Sequence, residues 1–173
     1  MRTIILFILL VFIGIDSFGQ KMTGFGGELS VLSLKPNVRA WLSKTKGFDV
    51  FAGISSELND FKPNDFEAGF KFLNTFIYNH TDRTYFGLMG KWKLLKIEET
   101  ENAINIPVVG LLIGKEWSKK RIHRKGFALE LGYQYGKKTF GIYSPVGHHY
   151  IGKKTYDEFP LIVNLRYTLY KGK

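Results

Sequence analysis

The stretch GFALELGYQYG (residues 126–136) alternates strictly between large apolar side chains and small, charged or amide side chains. Successive side chains of an extended chain point to opposite faces, so the two classes separate completely. One face carries Phe127, Leu129, Leu131, Tyr133 and Tyr135, and the other carries Ala128, Glu130, Gly132, Gln134 and Gly136. The stretch therefore predicts a strand with one apolar face and one face that holds a carboxylate.

The same period of two recurs along most of the chain, between segments that favour turns. The predicted strands number eight and lie at about 24–33, 37–44, 48–58, 65–78, 84–97, 104–117, 126–136 and 159–170. The intervening turn signals include Lys35-Pro36, Lys44 to Gly47, Lys62 to Asp65 and Asn79 to Asp82. An even number of amphipathic strands predicts an all-β, eight-stranded, antiparallel up-and-down transmembrane β-barrel.

The first residues, MRTIILFILLVFIGIDSFGQ, have the composition of a secretory signal. A basic Arg2 precedes an apolar run from Ile4 to Ile15, and small residues Ser17 and Gly19 precede the expected cut. That run is shorter than the roughly 20 apolar residues of a transmembrane helix. We expect a cleaved signal peptide at 1–19 and a barrel domain at 20–173.

The direction of each face follows from where a charge can be placed. An arginine that faces lipid at mid-membrane costs roughly 2–4 kcal/mol in a barrel, so Arg166 should face the lumen. The same reasoning turns Lys91 and Lys93 inward. The predicted lumen charges are Glu28, Arg39, Glu57, Glu67, Lys71, Lys91, Lys93, Glu116, Glu130 and Arg166. Because the interior of an eight-stranded barrel is filled by side chains, these acids and bases should pair in a plugged lumen.

The outward aromatics cluster near strand ends, where amphipathic rings form girdles at the membrane boundary. They include Phe66, Tyr78, Trp117, Tyr133, Tyr135, Phe159 and Tyr167. The alternative is a soluble, lipocalin-like periplasmic barrel with the same alternation but an apolar interior that binds apolar ligands. The signal segment, the inward glycines and charges, and the scarcity of lysine on the apolar faces favour the membrane.

The terminal strand VNLRYTLY (163–170) is similar to the signal that the barrel-assembly machinery reads, although KGK follows where an aromatic usually ends it. With its strand count and alternation, the chain from about 24 to 170 resembles the small eight-stranded outer-membrane barrels of diderm bacteria, the OmpA transmembrane-domain and OmpX-like group. The closing SFGQ of the signal resembles signals of Bacteroidota. The resemblance is one of architecture and implies no active-site residues.

Residues 137–158 form the longest predicted loop, which mixes aromatic and cationic side chains suited to anionic sugar or phosphate surfaces. Its candidate binding residues are Lys137, Lys138, Tyr143, His148, His149, Tyr150, Lys153 and Lys154. Ser144 beside His148 or His149 admits a rival function, an outer-membrane enzyme that modifies lipid. No nucleophile motif accompanies these residues, and adjacent histidines on an extended chain point apart, which disfavours a metal site.

The chain has no cysteine, which excludes disulfides, thiolate metal sites and a lipidated cysteine anchor. Five bases lie in the turn SKKRIHRKG (118–126) and would suit phosphate groups of nucleic acid or lipid headgroups, and export disfavours nucleic acid. We expect a monomeric, non-enzymatic outer-membrane protein without cofactor or metal. Its expected partners are outer-membrane lipid, lipopolysaccharide and, during insertion, the barrel-assembly machinery. Its task would be envelope integrity, adhesion or ligand binding through the loops.

Overall fold

The chain forms a closed barrel with a small β-hairpin beside one mouth. The computed structural model describes residues 22–31, 33–55, 65–79, 81–96, 103–119, 124–143 and 150–172. The strands are β1 Met22–Ser30, β2 Ser33–Trp41, β3 Lys46–Ser55, β4 Asp65–Tyr78, β5 Asp82–Lys96, β6 Ala103–Lys119, β7 Arg124–Tyr135, β8 Lys137–Tyr143, β9 Tyr150–Asp157 and β10 Leu161–Gly172.

Eight of these strands close the barrel in the order β1-β10-β7-β6-β5-β4-β3-β2, and every neighbouring pair is antiparallel. Strands β8 and β9 pair only with each other, as a two-stranded sheet inserted between β7 and β10. The predicted all-β, eight-stranded antiparallel barrel is therefore confirmed. The predicted signal peptide at 1–19 lies outside the described residues.

The two mouths of the barrel differ. One mouth, here the turn end, holds the start of β1, the end of β10 and the β2–β3, β4–β5 and β6–β7 connections. The opposite mouth, here the hairpin end, holds the β1–β2, β3–β4 and β5–β6 connections and the β8–β9 hairpin. Any site built at the hairpin end is thus separated from the start of β1 and the end of β10 by the full height of the wall.

The strands are strongly staggered. Met22 pairs with Trp41 on the next strand. The cross-strand partners that follow, one on each strand around the barrel, are Gly47, Leu73, Gly87, Leu112, Gly132 and Ile162. Continuing the β1–β10 register from Ile162 leads to position 32, ten residues from the start (32 minus 22). Strands staggered in this way tilt by about 35–45° to the barrel axis.

The large residues on this path are buried in the lumen and run from the turn end, at Met22 and Trp41, to the hairpin end, at Ile162. Met22, Trp41, Leu73, Leu112 and Ile162 are all buried and belong to one core cluster. The intervening glycines leave the space that these side chains fill, since a Cβ on Gly47 would lie 2.6 Å from the Trp41 ring. Large side chains beside glycines thus fill this part of the lumen.

Burial alternates along every strand of the wall. In β7, Ala128 and Glu130 are buried, whereas Phe127, Leu131 and Tyr133 are 47–59% exposed. The carboxylate of the opening stretch therefore points into the lumen and its apolar row points outward.

The interpretation of Lys35-Pro36 as a turn was wrong. Both residues lie inside β2, and the chain reverses instead between Ser30 and Ser33. Lys35 and Pro36 pair with β1, whereas the paired residues on the β3 side pass from Leu34 to Asn37. A proline, which has no N–H to donate, thus sits where the β2–β3 ladder is interrupted.

The interpretation of residues 137–158 as a loop was also incomplete. Lys137–Tyr143 and Tyr150–Asp157 form paired strands, with a register shift between Ile142 and Tyr143. Only 144–149 lie outside the described residues within this segment. The region is a structured hairpin that is attached to the mouth of the barrel.

Candidate functional site: the ion-paired lumen and the hairpin end

The predicted lumen charges lie inside the barrel wherever the structure describes them. Glu57 lies outside the described residues. The other nine have at most 5% of their surface exposed, and they are Glu28, Arg39, Glu67, Lys71, Lys91, Lys93, Glu116, Glu130 and Arg166. Because so few of their atoms contact solvent, each charge has to be compensated by a partner.

Arg39 is the hub of the central cluster. Its Nη1 donates to Glu116 at 2.9 Å and to the Tyr85 hydroxyl at 2.9 Å. Its Nη2 donates to Glu130 at 2.5 Å and to Asp49 at 3.1 Å. One planar guanidinium therefore joins β2 to carboxylates on three other strands, which suits the fixed fork of donors on arginine.

Two further cations complete the cluster. Lys71 Nζ donates to Glu28 at 2.5 Å and to Glu130 at 2.6 Å. Arg166 donates to Asp49 through Nη1 and to Glu28 through Nη2. Every carboxylate of this centre contacts at least one cation, so the cluster is a structural salt-bridge network.

The carboxylate oxygens of Glu28, Asp49 and Glu130 lie within 4.8 Å of one another, a spacing compatible with cation binding. The three side chains already contact Arg39, Lys71 and Arg166. Compensation by fixed cations makes this group an ion-paired centre, and it offers no free negative charge to a metal ion.

The buried charges in ion pairs balance across the described residues. Seven acids are present, namely Glu28, Asp49, Asp65, Glu67, Glu116, Glu130 and Glu158. Seven bases are present, namely Lys35, Arg39, Lys71, Arg83, Lys91, Lys93 and Arg166. The described lumen is thus close to neutral even though the whole chain carries a net charge of +10.

Five of these charges were missed by the sequence interpretation: Lys35, Asp49, Asp65, Arg83 and Glu158. Asp49 could have been assigned to the lumen from the sequence, because it lies between the apolar Phe48 and Val50 as Arg39 lies between Val38 and Ala40. Lys35 was hidden by the proline beside it. Glu158 lies outside any barrel strand, so alternation gave no information about it.

Glu158 joins the hairpin to the lumen. Its Oε1 accepts hydrogen bonds from Lys91 Nζ at 2.8 Å and Gln134 Nε2 at 3.3 Å, and its Oε2 accepts one from the Tyr156 hydroxyl at 2.7 Å. Lys93 donates to the same Tyr156 hydroxyl at 2.7 Å. These contacts form a latch, defined here as Lys91, Lys93, Gln134, Tyr156 and Glu158, that holds the hairpin base over the mouth.

The backbone reinforces the latch. The Glu158 amide donates to the Gly136 carbonyl at 2.8 Å, and the Gln134 amide donates to the Pro160 carbonyl at 2.7 Å. Burial by itself would raise the pKa of Glu158, but the ammonium groups of Lys91 and Lys93 outweigh burial and hold that pKa below its usual 4.5. Glu158 is therefore ionised at neutral pH.

A small polar cleft lies behind the latch, between the β1–β2 reversal and the side chains of Ser55, Glu67 and Lys91. Its free space accommodates about one water molecule. The described lumen charges and the apolar residues of the core cluster are buried, so side chains occupy this part of the interior.

The candidate binding residues of the 137–158 segment separate into three groups. Lys137, Lys153, Lys154 and Tyr150 are exposed. Lys138 folds back toward the wall, where its Nζ donates to the Asn105 carbonyl at 2.6 Å. His148, His149 and the side chain of Tyr143 lie outside the described part of the chain, as does Ser144. The rival lipid-modifying site therefore has no described geometry.

No protein-family model, curated protein or solved structure matches this chain. Among the residues that the structure describes, no helix is long and apolar enough to cross a membrane. The function is therefore inferred from the fold and from the positions of the charged side chains.

Proposed function

We propose that this chain is a non-enzymatic outer-membrane β-barrel protein with a plugged lumen, which acts at the envelope surface through its hairpin end. The observation that supports this most strongly is the inverted polarity of the wall. Arg39, Glu130 and Arg166 are at most 1% exposed, whereas Leu111 on the outside is 67% exposed. Such a distribution suits a hydrocarbon solvent outside the barrel and fixed charges inside it.

The apolar exterior is continuous around the barrel. Large apolar side chains are exposed on all eight wall strands, including Phe25, Val38, Val50, Phe72, Leu88, Leu111, Leu131 and Leu165. Water-soluble monomers rarely expose apolar patches larger than a few hundred Å². Closure also satisfies the backbone hydrogen bonds without water, which a wall in lipid requires.

The soluble alternative has less support. A carrier of apolar ligands needs an apolar cavity, as in lipocalins. The described interior instead holds salt bridges such as Lys71–Glu130 and a cleft of about one water molecule. These features favour a sealed membrane anchor over an internal binding site.

The surface role belongs to the hairpin end. With the turn end on the periplasmic side, the hairpin faces outward, where Lys137, Lys153 and Lys154 would meet lipopolysaccharide or another anionic surface. Envelope integrity, adhesion and ligand binding are all compatible with this placement. The chain would act as a monomer that the barrel-assembly machinery inserts.

Fractionation tests the membrane proposal directly. The protein should remain with outer membranes after carbonate and high-salt washing and should be released by detergent. A folded barrel should also migrate faster than its boiled form on denaturing gels. Release by carbonate without detergent, together with a mobility that heating does not change, would contradict the proposal.

The hairpin role has its own test. The variant K137Q/K153Q/K154Q should fold and insert normally but lose affinity for lipopolysaccharide micelles, relative to the control variant K44Q/K46Q at the opposite mouth. Equal affinity of both variants and the natural chain would contradict a cationic binding surface on the hairpin.

A further inference from the structure

Lysines flank the outer apolar wall at the turn end. Lys125 lies two positions before Phe127 on β7, and Lys171 lies two positions after Leu169 on β10, so both continue the outward row of their strands. Both side chains are exposed. Strands β6, β7 and β10 are neighbours, with Leu169 opposite Lys125 and Lys125 opposite Lys119 in the register.

Lys115 of β6 joins this group by reaching toward the mouth. Its side chain is 45% exposed, its Nζ lies 3.3 Å from Asp82 Oδ2, and it lies 5.6 Å from the centroid of the Trp117 ring. A long side chain that leaves an apolar wall for the boundary in this way is snorkelling. Lys115, Lys125 and Lys171 are together called the basic rim.

An aromatic row borders the basic rim. Trp117 is opposite Phe127, and Phe127 is opposite Tyr167, across the same three strands. The Trp117 and Phe127 rings stack with centroids 6.1 Å apart. Trp and Tyr rings at this level mark the boundary between hydrocarbon and headgroups, which places the ammonium groups at headgroup depth.

The charge at this boundary is unbalanced. Exposed lysines at the turn end, within the described residues, are Lys44, Lys46, Lys115, Lys125 and Lys171, while Asp82 is the outward carboxylate there. Asp82 contacts Lys115 and is only partly exposed. The lumen carboxylates are committed to lumen cations, so the rim keeps a net positive charge.

We infer that the basic rim is a binding surface for anionic phospholipid headgroups in the leaflet at the turn end. The inference rests on the proposed membrane insertion and adds a lipid preference to it. The phosphate of an anionic lipid would approach Lys125 and Lys171 while its acyl chains pack on Phe127, Tyr167 and Leu169. Each lysine near an anionic surface contributes roughly a fivefold preference at moderate salt.

Two tryptophans make the inference measurable at both ends of the wall. Trp117 borders the rim, whereas Trp92 lies outward on β5 toward the hairpin end. Trp41 is buried and contributes a constant background. The variant W92F keeps Trp117 as its outward-facing tryptophan and therefore reports lipid at the rim. The variant W117F keeps Trp92 and reports lipid at the opposite boundary.

The experiment uses vesicles of equal parts phosphatidylcholine and phosphatidylglycerol, with one of the two brominated near the top of its acyl chains. In W92F, brominated phosphatidylglycerol should quench Trp117 with a local preference of fivefold or more over brominated phosphatidylcholine. The added substitutions K115Q/K125Q/K171Q should reduce that preference to near one. The matched substitutions K137Q/K153Q/K154Q on the hairpin should leave it unchanged.

Several results would overturn the inference. They are an absence of preference at Trp117, an equal loss in the hairpin variant, or the same preference at Trp92. A competition experiment adds unlabelled lipid A or unlabelled phosphatidylglycerol to displace the brominated lipid from Trp117. If lipid A reduces the quenching at a lower fraction than phosphatidylglycerol does, the rim prefers another lipid and the inference is contradicted. Heat-dependent mobility in pure phosphatidylcholine tests insertion separately, so failure to insert counts against the proposed function and insertion without preference counts against the rim alone.

Discussion

Arg39 and Glu130 meet at 2.5 Å across the lumen, although their strands β2 and β7 are not neighbours in the barrel. Glu130 also accepts from Lys71 and from the Tyr85 hydroxyl, so four strands converge on this carboxylate and its partners. This side-chain contact connects strands on opposite sides of the barrel, whereas backbone hydrogen bonds connect only neighbouring strands.

Replacing Glu130 by glutamine should destabilise the barrel strongly. Removal of one partner from a buried ion pair leaves an uncompensated charge and costs about 3–5 kcal/mol. Urea unfolding in vesicles measures the loss. The control D157N removes a carboxylate that is 66% exposed and 3.5 Å from Lys137, where a loss below about 1 kcal/mol is expected. Equal losses in both variants would contradict the network.

Replacing Gly132 by alanine should be costly, because a Cβ there would lie 2.2 Å from the Leu111 carbonyl oxygen and 2.7 Å from the Leu112 Cα. Overpacking of this kind costs about 1–3 kcal/mol, and backbone atoms relax less readily than side chains. Gly27 is the matched control, since a Cβ there meets nothing within 4 Å. Unfolding measurements should therefore separate G132A from G27A, and a tolerated G132A would contradict the packing of the lumen.

The latch should open in acid. Because the pKa of Glu158 is lowered below 4.5 in the folded chain, its contribution to stability is complete above pH 4.5 and is lost as the pH falls through the lowered folded value. The hydrogen-exchange protection factors of the Gln134 and Glu158 amides, which compare the observed exchange rate with the intrinsic rate at the same pH, should fall over that range. In E158Q, exchange at these amides should be fast already at neutral pH and should lose this acid-dependent component. Slow exchange in E158Q at neutral pH would show that the carboxylate does not hold the hairpin.

Replacing Leu111 by arginine separates the lipid-facing and soluble interpretations. Leu111 is 67% exposed midway along the outward apolar row of β6. In a bilayer, arginine at such a depth costs about 2–4 kcal/mol, whereas a soluble surface tolerates it within about 0.5 kcal/mol. The control T139R places the same side chain on the exposed hairpin. Similar unfolding free energies for the two variants would argue against lipid outside the wall.

The barrel could be predicted because every wall strand alternates apolar and polar side chains with a period of two. Charges cannot face the apolar side, so residues such as Arg166 and Lys91 fix the direction of a whole strand through period two. That rule also assigned Glu130 and Lys71 to the lumen before their partners were known. It gave no distances, because partners such as Arg39 and Glu130 come from strands far apart in sequence.

The errors arose where local preference and tertiary context disagree. The dipeptide Lys35-Pro36 has a composition that favours turns. It nevertheless lies within β2, at the point where the pairing between β2 and β3 is interrupted. The hairpin strands β8 and β9 contain Gly141, Gly152 and four lysines, a composition with weak strand preference. Their attachment depends on Glu158 and Tyr156 contacting Lys91 and Lys93, which no local pattern encodes.

The most direct test is a nitroxide scan along β6, one label at a time from position 109 to position 113, in the protein reconstituted in vesicles. Labels at 109, 111 and 113 should be accessible to oxygen dissolved in lipid and shielded from a water-soluble nickel reagent, while labels at 110 and 112 should be shielded from oxygen. A reversed pattern, with the odd positions open to the nickel reagent or the even positions open to oxygen, would contradict an apolar wall that faces hydrocarbon.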